Sequence, residues 1–243
     1  MPKTNAVPVV ELTCVTKDYR QGTLDVHALR GIDLIIHTGE FLAICGPSGS
    51  GKTTALNLIG ALDSATSGRV RLEGHDLNTL SRRALSRLRR DRIGFVFQAY
   101  NLLPVLTVYE NAEIVLALQG VSQAERRERV MQLLAEVGLE GLEDRRPDQL
   151  SGGQQQRVAI ARAIAANPAV VLADEPTANV DSETAEKLLG IMHQLNRERA
   201  VTFIFSTHDA RVMDHAQRLV RLVDGQVASD EKNQPPGRCP GLP

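Results

Sequence analysis

The chain has 243 residues, 42% of them hydrophobic and 23% charged, which suits a globular fold of one large domain or two small lobes. A net charge of −1 gives no global field that would draw it onto nucleic acid or an acidic membrane surface. An odd, small count of 3 cysteines argues for a reducing cytosol over a disulfide framework, the N-terminus lacks the apolar core of a signal peptide, and no stretch approaches the roughly 20 apolar residues of a membrane span.

In chain order, Val9 to Tyr19 and Gly31 to Ile36 read as strands, with turns at Gly22 and Gly31. Phe41-Leu42-Ala43-Ile44-Cys45 is a short apolar run, as a buried strand should be. Gly46-Pro47-Ser48-Gly49-Ser50-Gly51-Lys52-Thr53 follows, and a helical pattern runs from Thr54 to Leu62. Strand, glycine-rich loop and helix are the setting of a phosphate-binding loop. Its glycines let successive backbone N–H groups turn toward phosphate oxygens, and the helix start adds partial positive charge. Lys52 would reach the β- and γ-phosphates, and the Thr53 hydroxyl would ligate Mg²⁺.

Arg69 to Leu72 alternates as an edge strand would, Glu73-Gly74-His75-Asp76 is a turn, and Leu77 to Arg90 is helix-like. The arginines of that helix read as a solvated face, with no nucleic-acid partner expected. Ile93 to Phe97 is a strand ending at Gln98. Helical spacing then dominates over Val108–Gln119, Ser122–Val137 and Gly152–Ala166. Strands return at Ala169–Ala173, Val201–Phe205 and Leu219–Val223, with helices over Ser182–Arg199 and Asp209–Gln217 between them. Apolar strands alternating with helices predict a parallel sheet covered on both faces. The expected architecture is an α/β core with an N-terminal antiparallel layer and an inserted helical subdomain at about 99–156. One domain spans 1–228, and a proline-rich disordered tail covers 229–243.

Ligands gather where the strands of an open α/β sheet end. Asp174 closes one strand and can hold Mg²⁺, directly or through water. Glu175, next to it, is placed to polarise an attacking water. His208 would bond the γ-phosphate, and Gln98 would touch Mg²⁺ or the water. Leu150-Ser151-Gly152-Gly153-Gln154 opens a helix, with Ser151 as its cap, and forms a second anion site. Because the chain already has one phosphate loop, the second site is expected to serve the nucleotide of another copy, packed head to tail.

With these motifs in place, the chain resembles the ATP-binding subunit of an ABC transporter over about residues 9 to 228. The matching parts are a Walker A loop at 46–53, a Q-loop at Gln98, the LSGGQ signature at 150–154, a Walker B strand ending at Asp174, the catalytic Glu175 and a switch histidine at His208. The resemblance implies an ATP sandwich between two copies. Thr54 would join the phosphate contacts, Ser151, Gly152, Gly153 and Gln154 would act across the dimer, and Tyr19 would stack on adenine. Asp181 matches the family's D-loop, where this chain has Ala178-Asn179-Val180-Asp181 and the family usually has Ser-Ala-Leu-Asp. The segment Phe97 to Pro104, with Glu110-Asn111, is similar to the macrolide-efflux and lipoprotein-release type. These parallels imply a peripheral ATPase on the cytoplasmic face of the membrane, driving a separate integral permease subunit. Alternatives are an ABC ATPase of a cell-division complex, a soluble one of DNA repair or translation, and a small-molecule kinase. The last would leave LSGGQ without a purpose.

Overall fold

The apolar runs form the middle of a sheet. A computed structural model describes residues 8–22 and 24–233. The chain opens with a hairpin of β1 (Pro8–Gln21) and β2 (Leu24–His37), then β3 (Phe41–Cys45), β4 (Ser67–Leu72), β5 (His75–Asp76) and β6 (Ile93–Phe97). The later strands are β7 (Val170–Asp174), β8 (Thr202–Thr207), β9 (Arg218–Val223) and β10 (Gln226–Lys232). The helices are α1 (Lys52–Ile59), α2 (Arg82–Arg92), α3 (Val108–Leu118), α4 (Gln123–Glu136), α5 (Gly152–Ile164), α6 (Ser182–Arg199) and α7 (Ala210–His215). A four-stranded sheet has the order β2-β1-β4-β5, and a six-stranded sheet has the order β10-β9-β3-β8-β7-β6. The first is antiparallel; in the second, β9 to β6 run parallel and β10 closes one edge antiparallel.

Strand alternation divides the interior into two cores. Phe41, Ala43, Val171, Ala173, Phe203 and Phe205 face one of them, where they meet Leu116 of α3, Leu134 of α4, Val158 of α5 and Leu189 of α6. Leu42, Ile44, Val170, Leu172 and Ile204 face the other, with Leu58 and Ile59 of α1 and Val10, Ile36 and Leu72 of the antiparallel sheet. Helices α3 to α6 thus cover one face of the parallel sheet, and α1 with the antiparallel layer covers the other. Truncating a wholly buried ring such as Phe203 to alanine would cost about 3–5 kcal/mol.

Several local expectations are corrected. Gly31 is not a turn: it lies inside β2 with φ +82°, the extra residue between the Val15–Ile32 and Thr16–Arg30 pairs, and next to it a second irregularity sets Cys14 of β1, φ +47°, opposite Asp33. There the Cys14 N–H donates to Asp33 Oδ1 at 2.8 Å, so the hairpin bends without breaking. His75 and Asp76, expected in a turn, pair with β4 as a short edge strand, so β4 itself is not the edge. The segment Leu77 to Arg90 is not one helix. Asp76 caps a single 3-10 turn over Leu77–Thr79, Leu80 is extended, and Ser81 caps α2 anew. Two capping side chains only five positions apart favour two short starts over one continuous helix. Residues 229–232, expected in the tail, continue β10, held by a two-point contact of Arg218 with Asp230. The rest of the expected tail, 234–243, lies outside the described residues. Among the described residues no helix is long and apolar enough to cross a membrane.

Candidate functional site

The loop between β3 and α1 is shaped by steric exclusion. Gly46, Gly49 and Gly51 all have positive φ, at +148°, +79° and +100°. A Cβ on Gly46 would lie 2.1 Å from the Leu222 carbonyl oxygen, and one on Gly51 would lie 2.5 Å from that of Ala28. The loop can therefore sit against β9 and β2 only with glycine there. Lys52 is nearly buried, and its Nζ donates to the carbonyls of Gly46 and Pro47 at 2.8 and 2.9 Å. The ammonium thus spans the loop it closes. The first turn of α1 carries no acidic residue, so the positive end of its dipole is uncompensated.

The strand ends bring the polar groups to this loop. Parallel register places Asp174 beside Ser206, and Cys45 beside Thr207. Thr53 Oγ1 donates to Asp174 Oδ1 at 3.3 Å. Glu175 turns away from Asp174 through a left-handed backbone, φ +46°. Its N–H donates to the Ser206 carbonyl, its Oε2 accepts from Thr207 Oγ1 at 3.1 Å, and its Oε1 lies 2.6 Å from His208 Nδ1. The Glu175 side chain is 17% exposed and that of His208 is 73% exposed, so the carboxylate is held inside while the imidazole reaches solvent.

Thr53, Glu175 and His208 line one cleft of about 530 Å³; Asp174 is not among its lining residues but accepts the hydrogen bond of Thr53, which is. Ser48, Gly49, Gly51, Lys52, Thr53 and Thr54 form its floor, and Gln98, Glu175 and His208 one wall. Val26, His27 and Ala28 of β2 also line it. They carry no motif, and only their position in the hairpin brings them there. Gly46, Pro47 and Ser50 belong to the same loop but are not among the lining residues.

Tyr19 is engaged beside the cleft. Its hydroxyl donates to Asp63 Oδ2 at 2.9 Å, and the Lys17 ammonium stands 4.8 Å from the ring centroid. Burial first, then the bond to Asp63, raises the Tyr19 phenol above its ordinary value. Burial pushes Asp63 up, but hydrogen bonds from Lys17, Ser64 and Tyr19 outweigh it and hold the carboxyl below the usual range.

Ser151, Gly152, Gly153, Gln154 and Asp181 are not among the residues lining this cleft. Ser151 caps α5 in a reciprocal box: its N–H donates to Gln154 Oε1 at 2.9 Å, and its Oγ accepts from the Gln154 N–H at 3.3 Å. Asp181 caps α6, accepting from the Thr184 N–H and hydroxyl at 2.9 and 2.7 Å. A Cβ on Gly153 would lie 2.4 Å from Thr184 Cγ2, so the two helix starts touch. The chain therefore presents a phosphate-loop cleft and a separate pair of helix N-termini.

Reasoning from sequence missed Thr177, Asp209 and Asn179. Thr177 is buried, and its hydroxyl donates to Asp209 Oδ2 at 2.9 Å, fixing the segment just after Glu175. Among the described residues no cluster of His, Cys, Asp and Glu could by itself hold a metal ion. The Thr53–Asp174 oxygen pair suits a hard cation that draws its remaining ligands from phosphate and water.

Residues 29–178 match the family described as ABC transporter. The chain is 49% identical to the lipoprotein-releasing system ATP-binding protein LolD of Anaeromyxobacter dehalogenans, over 93% of this chain and 95% of that protein. It is 46% identical to the macrolide export ATP-binding/permease protein MacB of Shigella flexneri, over 90% of this chain and 34% of that protein, so it spans about a third of MacB. Among solved structures, it resembles the dimeric post-hydrolysis state of the ATP-binding cassette MJ0796 bound to ADP and Pi. The TM-score is 0.85 at 46% identity, covering 93% of this chain and 99% of that one.

Proposed function

The chain belongs to the ABC transporter family as an ATP-binding, ATP-hydrolysing subunit, and we propose that two copies close on two ATP molecules to drive a separate membrane-spanning permease. The observation that carries this reading is the split site. Lys52, Thr53, Gln98, Glu175 and His208 share one cleft, whereas the Ser151 helix start is not part of it. A second copy, packed head to tail, would supply Ser151 and Gly153 to the γ-phosphate. Asp181, against the same helix start, would sit at the contact between copies.

In this reading the phosphates lie on residues 46–54, and Lys52 leaves the loop carbonyls to meet the β- and γ-oxygens. Tyr19, with Val26 and Ala28 beside the cleft, would receive the adenine. Thr53, Asp174 and Gln98 would hold Mg²⁺, which neutralises charge on the phosphates. Glu175 orients the water for in-line attack, its carboxylate steered by Thr207 and His208. His208 faces the γ-phosphate. Closure removes water from these groups and is the movement that the permease would feel through the loop after Gln98. Similarity over nearly the full length of LolD supports a lipoprotein-release or export type and a peripheral place on the cytoplasmic face.

The test uses Glu175→Gln, which should bind ATP and trap the closed pair. Tagged and expressed in its native cell, it is purified from gently solubilised membranes with Mg·ATP. Recovery of a polytopic membrane protein is the expected outcome. Recovery only from the soluble fraction, with ribosomes or nucleic acid attached, would contradict the transporter reading.

A further inference from the structure

The backbone that carries Gln98 into the cleft is held in an unfavourable shape from outside the cleft. Tyr100 and Asn101 are consecutive non-glycine residues in the left-handed region, φ +56° and +49°. L-residues rarely adopt this conformation in succession unless neighbours impose it. Arg162 of α5 is one such neighbour: its guanidinium donates to the Asn101 carbonyl at 2.6 Å and to the Tyr100 carbonyl at 2.9 Å. The other lies on the segment that follows Glu175. Asn179 Nδ2 donates to the Gln98 carbonyl at 2.8 Å, and the Tyr100 hydroxyl donates back to the Asn179 carbonyl at 3.3 Å. That hydroxyl also lies 2.8 Å from where a Cβ on Gly152 would stand. A closed ring thus joins the Gln98 loop to the Asn179 loop, and its phenol rests on the first turn of α5.

We propose that Asn179 is a positioning residue for Gln98: its amide, closed by the Tyr100 hydroxyl, clasps the Gln98 backbone, presents that side chain to the cleft and ties its movement to the start of α5. The inference rests on the ATPase reading above, which gives Gln98 its task. Asn179 is exposed in the single chain, where water competes for its bond. A second copy seated against Asp181 and Ser151 would exclude that water and strengthen the clasp when hydrolysis needs it.

The test compares the full chain with Asn179→Ala, Asn179→Asp and Tyr100→Phe in steady-state ATPase assays with Mg·ATP. Aspartate keeps the size of the side chain but sets a carboxylate against the Gln98 carbonyl. The expected result is a kcat about tenfold lower in both Asn179 variants, near the factor that one ordinary hydrogen bond is worth. KM for ATP should stay within about twofold, because the phosphate loop is untouched. Tyr100→Phe should lower kcat less, and should add little on top of Asn179→Ala, as partners in one ring do. Amide hydrogen exchange over 98–101 should quicken in all three, a readout that needs no turnover. Unchanged kcat and unchanged exchange would overturn the clasp, as would a rise in KM that accounts for the whole loss. Tyr100→Phe, which deletes one hydroxyl, carries the same test if the Asn179 variants melt early. Equal turnover by the wild type and Lys52→Ala would instead strike the ATPase reading, leaving the exchange result to judge the clasp.

Discussion

At the scale of single residues, the cleft depends on side chains that fix one another. Glu175 is steered by Thr207 and His208, and the segment just after it is pinned through Thr177 to Asp209. Hydrogen bonds from Arg211, and then from Thr177, hold the Asp209 carboxyl down to about 2 against a burial effect that raises it. Its folded value lies below the ordinary 3.8, so its ionised form stabilises the fold. That contribution is complete above the unfolded value and is lost as pH falls through the folded one. Asp209→Ala should therefore destabilise the chain by about 2 kcal/mol at neutral pH, with the gap closing toward pH 2. Urea midpoints of both proteins across that range check this, and an equal gap at both ends would contradict it. Lys52, Gln98, Glu175 and His208 were legible in the sequence because each ends a buried apolar strand or stands in a motif of fixed spacing. Val26, Ala28, Thr177 and Asn179 were not. Their places depend on hairpin pairing and on long-range bonds such as that from Asn179 to Gln98, 81 positions apart, which no local pattern encodes.

At the scale of elements, the loop between β3 and α1 is a packing device as well as the proposed phosphate site. Gly46 leaves no room for a Cβ between the Leu222 carbonyl and Ser50 Oγ, at 2.1 and 2.9 Å. Gly46→Ala must push the loop off β9, and should weaken ATP binding by at least about tenfold, the effect of some 1.4 kcal/mol of strain. A fluorescence titration with ATP measures this, and wild-type affinity in the variant would contradict the steric account. Strands and helices with a clear period, such as Phe41–Cys45 and Ser182–Arg199, stand where the pattern put them. The misread segments were those in which a tertiary contact overrides a local cue. Gly31 suggests a turn, but pairing with β1 absorbs it as an irregularity. Ser229 to Lys232 are polar and proline follows soon after, yet Arg218 draws them onto the sheet edge through Asp230.

At the scale of the whole molecule, the two cores divide the work. One locks the parallel sheet to α1 and the antiparallel layer, which hold the phosphate loop and the β2 wall of the cleft. The other locks the same sheet to α3, α4, α5 and α6, which carry the Ser151 and Asp181 helix starts. The sheet thus bears a cleft and, apart from it, the groups that would complete a cleft in another copy. The most direct measurement is the mass of Glu175→Gln in solution by light scattering, with Mg·ATP, with Mg·ADP and without nucleotide. The account predicts a monomer that doubles its mass with ATP alone, and no doubling once Lys52→Ala or a bulky Ser151→Arg is added. A mass that ignores ATP, or a dimer that survives Ser151→Arg unchanged, would contradict it.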